Sequence, residues 1–222
     1  MTRVLAFLHT AAAHVATFDA LLDELDAAVP RRHAVAAGLL DQARAAGAVT
    51  PEIAACVADA VRDLIEQGAG LVLCTCSTIG AAAEAAATTA VPVLRLDRPM
   101  AAAAVACGPR VAVVAALAST VAPTLTLLLE VAWAAGRPIA PRVTLCEEAW
   151  PHFERGESER YFAAVAAAAR AAAAAADVVV LAQGSMGPAA ERLTAIGVPV
   201  LASPRLGVAA AVNLWHAARP RP

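Results

Sequence analysis

The chain has 222 residues, of which 60% are hydrophobic and 16% are charged, and its formal net charge at pH 7 is −2. So small a charge provides no basic surface for a polyanion, which argues against nucleic acid as a partner. Five cysteines are an odd number and make a poor disulfide framework, so we expect a reducing, cytoplasmic environment.

The hydrophobic fraction does not indicate a membrane protein, because much of it is alanine. The longest alanine-rich stretch, residues 163–176, contains Arg170 and is followed by Asp177. It therefore predicts a packed helix rather than a span of about 20 apolar residues. The apolar stretch at residues 4–8 is shorter than the roughly 7–15 residues of a signal-peptide core. We expect no membrane association and no leader.

Strand-like and helical segments alternate through the first half of the chain. An apolar run at residues 4–8 predicts the first strand, and apolar residues at helical spacing predict a helix over 16–29. A second helix is predicted to begin at Pro51, after a threonine N-cap, and to stop at Gly68. A run at residues 71–74 then predicts another strand.

The second half repeats this plan. Apolar runs predict strands at residues 111–118, 142–146 and 178–182. Between them, residues 123–135 form a predicted helix that is closed by a glycine, and the alanine-rich stretch forms another helix. The repetition indicates two similar half-domains.

A short motif marks the duplication, since Val-Pro-Val-Leu at residues 91–94 recurs at 198–201. Apolar runs without polar alternation are typical of parallel strands that are buried on both faces. Strands that alternate with helices predict a doubly wound α/β fold. We predict two pseudo-symmetric doubly wound parallel-sheet lobes with an interlobe active-site cleft. The first lobe comprises residues 1–97 plus 205–222, and the second comprises 98–204.

Polar residues close each apolar run at the carboxyl end of a predicted strand, which is where open α/β sheets bind ligands. Helices are predicted to follow these turns, and their free N–H groups favour an anion such as a carboxylate. Serine and threonine hydroxyls add hydrogen-bond donors, although the same residue types also cap helices without any ligand. The candidate substrate-binding residues are Thr10, Ser77, Thr78, Ser119, Thr120, Gly184 and Met186.

Cys76 is the candidate for proton transfer, because it lies at a strand-to-helix turn, a setting that favours a reactive thiolate. A cysteine in an apolar run is more often a core residue, so the core alternative stays open. His9 is a candidate partner that accepts the thiol proton or stabilises a thiolate as a cation; the alternative is a strand-end histidine that faces water. The remaining cysteines are expected in the core or in buried helices: Cys56, Cys107 and Cys146.

Other chemistries have less support. Cys74 and Cys76 form a Cys-x-Cys pair that raises a metal or redox site, but no further cysteine or histidine lies at zinc-like spacing, so we expect no metal. Gln183 stands where a hydrolase nucleophile motif around Ser185 would need glycine. No glycine-rich nucleotide-binding motif occurs, and we expect no cofactor.

The turn motifs, taken in chain order, resemble those of the aspartate/glutamate/hydantoin racemase superfamily over essentially the whole chain. Cys-Ser-Thr at residues 76–78 follows a first-half strand, and Gly-Ser-Met at 184–186 follows its counterpart. His9-Thr10 after the first strand, the repeated Val-Pro-Val-Leu and the segment Ser-Pro-Arg-Leu-Gly at 203–207 add to the resemblance.

Racemases of this superfamily use two cysteines on opposite faces of the substrate. The resemblance implies that Cys76 is the first of them and that Ser185 replaces the second. It also implies that His9, Thr10, Ser77, Thr78 and Thr120 lie near the substrate. A hydroxyl is a much weaker acid than a thiol, so Ser185 needs an activating neighbour to act as a base.

The resemblance implies a cofactor-independent amino-acid racemase-family isomerase, acting on a small carboxylate-bearing substrate at the carbon α to the carboxylate; a homodimer would suit it. One alternative is a one-cysteine decarboxylase or isomerase of a small dicarboxylate, since arylmalonate decarboxylase and maleate isomerase are related to the superfamily. A second alternative is a non-catalytic protein that binds small acids. A third is a structural thiol or metal protein that uses Cys74 and Cys76.

Overall fold

Two parallel four-stranded sheets organise residues 3–218, the part of the chain that the computed structural model describes. One compact unit contains the chain up to Leu96 together with the C-terminal segment from Pro204, and the other runs from Asp97 to Ser203. Both sheets have helices between their strands, so the predicted α/β class with parallel sheets is confirmed.

The first unit begins with a strand, and its sheet has the order β2-β1-β3-β4. Its elements up to Leu96 are β1 (Val4–His9), α1 (His14–Asp26), β2 (Arg31–Val35), α2 (Ala37–Ala46), α3 (Pro51–Glu66), β3 (Ala69–Cys74), α4 (Gly80–Ala85) and β4 (Val93–Arg95).

The second unit carries the same arrangement, with the sheet order β6-β5-β7-β8. Two 3₁₀ segments, Glu147–Ala149 and Gly184–Leu193, lie among its helices. The elements that follow β4 are α5 (Arg98–Cys107), β5 (Val111–Ala115), α6 (Ala118–Ala134), β6 (Arg142–Leu145), α7 (Trp150–Glu154), α8 (Ser158–Ala173), β7 (Val178–Leu181), β8 (Val200–Ala202) and α9 (Ser203–Ala217).

Local sequence signals explain where α3 begins. The Thr50 hydroxyl accepts a hydrogen bond from the Ile53 N–H at 3.4 Å, and Pro51 occupies the first helical position, where its missing N–H costs nothing. By contrast, α6 begins at Ala118, five residues before the predicted start at Pro123, which lies inside the helix. Proline is readily tolerated only in the first turn of a helix, and Pro123 is the sixth residue of α6, so it did not mark the start.

The predictions missed β2 and the helix α2 that follows it in the first unit. The strand β2 is partly exposed and contains Arg31, Arg32 and His33, so it lacks the apolar run that marks the other strands. The helix α2 follows it directly. An edge strand with polar side chains forms because the backbone of β1 offers it a complete ladder, from Leu5 opposite Arg31 onward.

The C-terminal helix α9 completes the core of the first unit. Trp215 and Val208 from this helix pack in one buried cluster with Phe18 and other apolar side chains of α1, β1 and β3. The backbones approach closely, because a Cβ on Gly207 would lie 2.4 Å from the Leu96 carbonyl oxygen. Glycine at this position lets α9 lie against the end of the first sheet. Within residues 3–218 no helix is long and apolar enough to cross a membrane.

Candidate active site

Cys76 lies two residues beyond the end of β3, one of the two central strands of the first sheet. Its side chain is buried, as is the whole segment 71–80. The Cys74 thiol donates a hydrogen bond to the Cys76 carbonyl oxygen at 3.6 Å, so Cys74 stabilises the turn from within the strand. Within residues 3–218, no group of three or more histidine, cysteine, aspartate or glutamate side chains is arranged to hold a metal ion.

The hydroxyl-bearing residues of the first unit gather at the same edge of the sheet. Thr10 follows β1, and Ser77 and Thr78 follow β3, which is the direct neighbour of β1. All three side chains are buried, with 4–8% of their surface exposed. The sheet order therefore brings these predicted residues to the strand ends beside Cys76, as is typical of ligand sites in open α/β sheets.

His9 occupies the end of β1 and is completely buried, so it does not face water. Its Nδ1 lies 2.8 Å from the Thr75 hydroxyl, and its Nε2 lies 2.8 Å from Nδ1 of His33. Burial, together with the nearby His14 and His33, lowers the pKa of His9 to about 3. The ring is therefore neutral at neutral pH, and the predicted role as a thiolate-stabilising cation is wrong.

The residues that hold His9 were missed by the predictions. His33 comes from β2, where its backbone pairs with Phe7 of β1, and its Nε2 lies 3.2 Å from the Asp19 carboxylate on α1. The His33 ring stacks on Phe7 with 4.9 Å between ring centroids. Nothing in the local sequence indicates this contact, because β2 carries no apolar pattern.

Ser185 lies at the start of the 3₁₀ segment after β7, and its hydroxyl is 2.7 Å from the phenol oxygen of Tyr161. Tyr161 comes from α8 and is completely buried, and burial raises the pKa of its phenol well above the ordinary value. The phenol therefore stays protonated and can donate to the Ser185 oxygen, which leaves the serine proton for another acceptor. The predictions had no role for Tyr161.

A third thiol lies at a strand end, because Cys146 follows β6. It is buried as predicted, and its thiol donates to the Ala115 carbonyl oxygen at 3.3 Å. Burial, and secondarily the charge of Glu148, raises the pKa of Cys146 to about 11, so this thiol stays protonated and cannot act as a base at neutral pH. The expectation of buried positions was wrong for two cysteines, since the exposed ones are Cys56 and Cys107.

The sequence motifs match Cys76 of the first half with Ser185 of the second half. The strand ladders match Cys76 with a different residue. Cys74, the last residue of β3, pairs with Leu8, and Leu181, the last residue of β7, pairs with Val114. Counting two residues beyond each strand end places Cys76 level with Gln183, and Ser185 lies two residues further on.

Gln183 has a structural partner of its own. Its side-chain oxygen accepts a hydrogen bond from the Ala116 N–H at 2.6 Å, so it ties the end of β7 to the residue after β5. The chain then turns at once, with the Met186 N–H donating to the Gln183 carbonyl oxygen at 3.0 Å. Gly184 and Met186 are both buried in this turn.

Ser119 and Thr120 lie in the first turn of α6, not at the end of a strand, because β5 stops at Ala115. Thr120 is buried. The Ser119 hydroxyl is also shielded from solvent and has no hydrogen-bond partner among residues 3–218. A buried hydroxyl is normally hydrogen-bonded, so the Ser119 hydroxyl is an exception within residues 3–218.

The sequence profile of the Asp/Glu/hydantoin racemase family matches residues 11–211. Among solved structures, aspartate racemase from Picrophilus torridus has a TM-score of 0.73 at 13% identity, covering 100% of this chain and 96% of that one. A liganded variant of arylmalonate decarboxylase, with one glycine replaced by cysteine and one cysteine replaced by serine, has a TM-score of 0.58 at 22% identity, covering 100% and 96%. Allantoin racemase from Pseudomonas fluorescens has a TM-score of 0.57 at 20% identity, covering 100% and 98%.

At these identities the similarities to solved structures show a shared fold. No curated protein sequence matches the chain significantly.

Proposed function

Because the chain belongs to the Asp/Glu/hydantoin racemase family, we propose that it is a cofactor-independent enzyme that moves protons at the carbon α to a carboxylate. Cys76 is the principal acid and base, and Ser185 serves the opposite face of the substrate. The observation that carries the proposal is the Cys76 thiol on the turn after a central strand, beside the buried hydroxyls of Ser77 and Thr78. The enzyme acts in the cytoplasm, as a homodimer, on a small carboxylate-bearing substrate.

Racemisation in this scheme begins when the Cys76 thiolate takes the α-proton. The electron pair of the broken C–H bond moves into the carboxylate and leaves a planar enediolate. The Ser185 hydroxyl then gives its proton to the other face of the α-carbon, and the resulting alkoxide regains a proton from solvent. The hydrogen bond from Tyr161 stabilises the developing charge on the Ser185 oxygen, and the proton on Cys76 returns to solvent.

Binding of the substrate carboxylate is assigned to the hydroxyls at the strand ends and to the backbone of the turn after β7. Ser119 is the strongest candidate among them, because its hydroxyl is shielded and has no partner within residues 3–218. His9 enters the scheme as a neutral ring, not as a cation, because its pKa is near 3. The other residues assigned to binding of the substrate carboxylate are Thr10, Ser77, Thr78, Thr120, Gly184 and Met186.

Decarboxylation of a small dicarboxylate is the second candidate, and the serine at position 185 favours it. In this reaction the bond between the α-carbon and one carboxylate breaks, carbon dioxide leaves, and the electron pair stays as an enediolate. The Cys76 thiol donates its proton to the α-carbon and is reprotonated from solvent. One thiol suffices, so the weak acidity of a serine hydroxyl does not limit the rate.

Proton NMR in deuterium oxide tests both candidates with a panel of amino acids, hydantoins and substituted malonates. Wild type is compared with Cys76→Ala, and Cys56→Ala, at an exposed helix position, is the matched control. Deuterium uptake at the α-carbon with loss of chirality indicates racemisation, and carbon dioxide release indicates decarboxylation. Turnover that survives in Cys76→Ala would contradict the proposal. Binding without any exchange would favour a non-catalytic binding protein.

A further inference from the structure

Four side chains of the first unit form a continuous hydrogen-bonded chain from α1 to the turn that carries Cys76. The Asp19 carboxylate lies 3.2 Å from Nε2 of His33, and Nδ1 of His33 lies 2.8 Å from Nε2 of His9. Nδ1 of His9 lies 2.8 Å from the hydroxyl of Thr75. Thr75 immediately precedes Cys76. The hydrogen-bonded chain therefore runs from the half-exposed carboxylate of Asp19 to the turn that contains Cys76.

With both histidines neutral, one arrangement of protons satisfies all three links of this chain, and it leaves the Leu8 carbonyl oxygen, 3.2 Å from the Thr75 hydroxyl, without the Thr75 proton. Asp19 can only accept, so Nε2 of His33 carries the proton and Nδ1 of His33 is an acceptor. Nε2 of His9 must then carry a proton, and Nδ1 of His9 accepts from the Thr75 hydroxyl. All donors point from Thr75 toward Asp19.

A second proton on His33 reverses the direction in which the links from His33 to Thr75 donate their hydrogen bonds. Nδ1 of His33 becomes a donor, so Nε2 of His9 must accept and the His9 proton moves to Nδ1. Nδ1 of His9 then donates to the Thr75 oxygen, and the Thr75 hydroxyl turns to the Leu8 carbonyl oxygen, which lies 3.2 Å away. His9 changes its tautomer without gaining charge, which its complete burial and its pKa near 3 require.

The charged and titratable groups around the two rings are defined. From α1, His14 lies 6.0 Å from His9 between ring centroids, and Asp19 faces His33. From β2, the Arg31 guanidinium pairs with both Asp19 and Asp23 at the outer end of the hydrogen-bonded chain. From β1, Phe7 stacks on both imidazole rings.

We propose that Asp19 and His33 are positioning residues, and that proton uptake at His33 switches the hydrogen bond of Thr75 and thereby the setting of Cys76. The effect on turnover rests on the proposed function, whereas the switch itself does not. Because the links join residues 24 and 66 positions apart, only the intact sheet supports them.

The direct test is a pH titration of the ¹⁵N-histidine-labelled wild-type protein, which reads the protonation of each ring nitrogen. We expect Nδ1 and Nε2 of His9 to exchange their protonated and unprotonated shifts at the same midpoint as His33 gains a proton. A His9 ring that keeps one tautomer through the His33 transition would overturn the proposal, and so would a His9 that becomes doubly protonated there.

A second test measures the rate at which iodoacetamide alkylates Cys76, by peptide mass spectrometry, as a function of pH. We expect a step of at least twofold at the His33 midpoint in wild type and no step in His33→Phe, which keeps the ring stacking on Phe7. His216→Phe, which removes an exposed histidine–aspartate pair of the same unit, is the matched control and keeps the step. An unchanged profile in His33→Phe overturns the proposal.

These readouts separate two failures. Tautomer exchange without turnover of any substrate would support the switch and contradict the proposed function. Racemisation or decarboxylation through Cys76 without the tautomer exchange would support the proposed function and contradict the switch.

Discussion

The ends of β3 and β7 occupy the same place in two sheets of identical strand order, yet their chemistry differs. After β3 stand the Cys76 thiol and Thr75, whose hydroxyl contacts the neutral ring of His9. After β7 stand Gln183, which binds backbone, and Ser185, which binds a buried phenol. The sheet depends on apolar strands and their ladders, so the polar strand ends are free to diverge while the duplicated scaffold persists.

The largest expected difference between the units is the effect of removing a thiol. Cys76→Ala should lower the rate of α-proton exchange by about 10²–10⁴-fold, the usual contribution of a positioned acid or base. Cys146→Ala should leave that rate within about twofold, because its pKa of about 11 keeps the thiol protonated. Exchange rates from NMR measure both, and a comparable loss in Cys146→Ala would show that the second unit also supplies a thiol.

Acid and alkali should destabilise different units. Burial holds the pKa of His9 near 3 and that of His14 near 4, below the ordinary value of 6.5, so the unfolded chain takes up these protons first as the pH falls. The stability that the neutral rings provide is complete above about pH 6.5 and is lost below it. At pH 5 we expect each of these two histidines to lower the free energy of unfolding of the first unit by about 2 kcal/mol.

In the second unit the sign is opposite, because the pKa of Cys146 is raised. The unfolded chain loses this proton first, so stability falls as the pH rises from about 9 toward 11. Urea unfolding followed by Trp215 reports on the first unit, and Trp150 reports on the second, each in a variant that keeps one tryptophan. Equal acid sensitivity of both units would contradict the assignment.

A second thiol tests whether Ser185 is the partner of Cys76 in the proposed function. Ser185→Cys should raise racemisation about tenfold, because a thiol exchanges protons more readily than a hydroxyl. Gln183→Cys should instead lose the hydrogen bond to Ala116 and cost about 1–3 kcal/mol of stability without any gain in rate. The two rates are measured by polarimetry. A larger gain in Gln183→Cys would identify the position level with Cys76 as the true partner.

The smallest expected effect concerns the surface attachment of α9. Arg205 and Glu24 form an exposed ion pair at 2.8 Å, so Arg205→Ala should change the free energy of unfolding by less than about 1 kcal/mol. Gly207→Ala is the contrasting change two residues away, and it should cost about 1–3 kcal/mol because the added methyl group meets the Leu96 carbonyl oxygen. Urea midpoints compare them, and equal losses would show that α9 is not held by close packing.

Local signals were sufficient for elements that bury an apolar face or carry a strong cap. The strands β1, β3, β5 and β7 stand where apolar runs predict them, and α3 begins at its threonine cap and proline. They were insufficient for β2, whose polar residues form a strand only because β1 lies beside it. They also misplaced the start of α6, because Pro123 was taken as a helix start although it lies inside the helix, past the first turn that proline favours.

The sequence by itself determined the class of fold, the duplication, and a thiol and hydroxyls at strand ends, because apolar runs, prolines and glycines act over a few residues. The tertiary structure decided what those groups touch. His9 is neutral because β2 and α1 cover it. Ser185 has a hydrogen bond to the Tyr161 phenol because α8 packs against the turn after β7. Those contacts join residues that are 24 to 66 positions apart, and only the strand order and register bring them within hydrogen-bond distance.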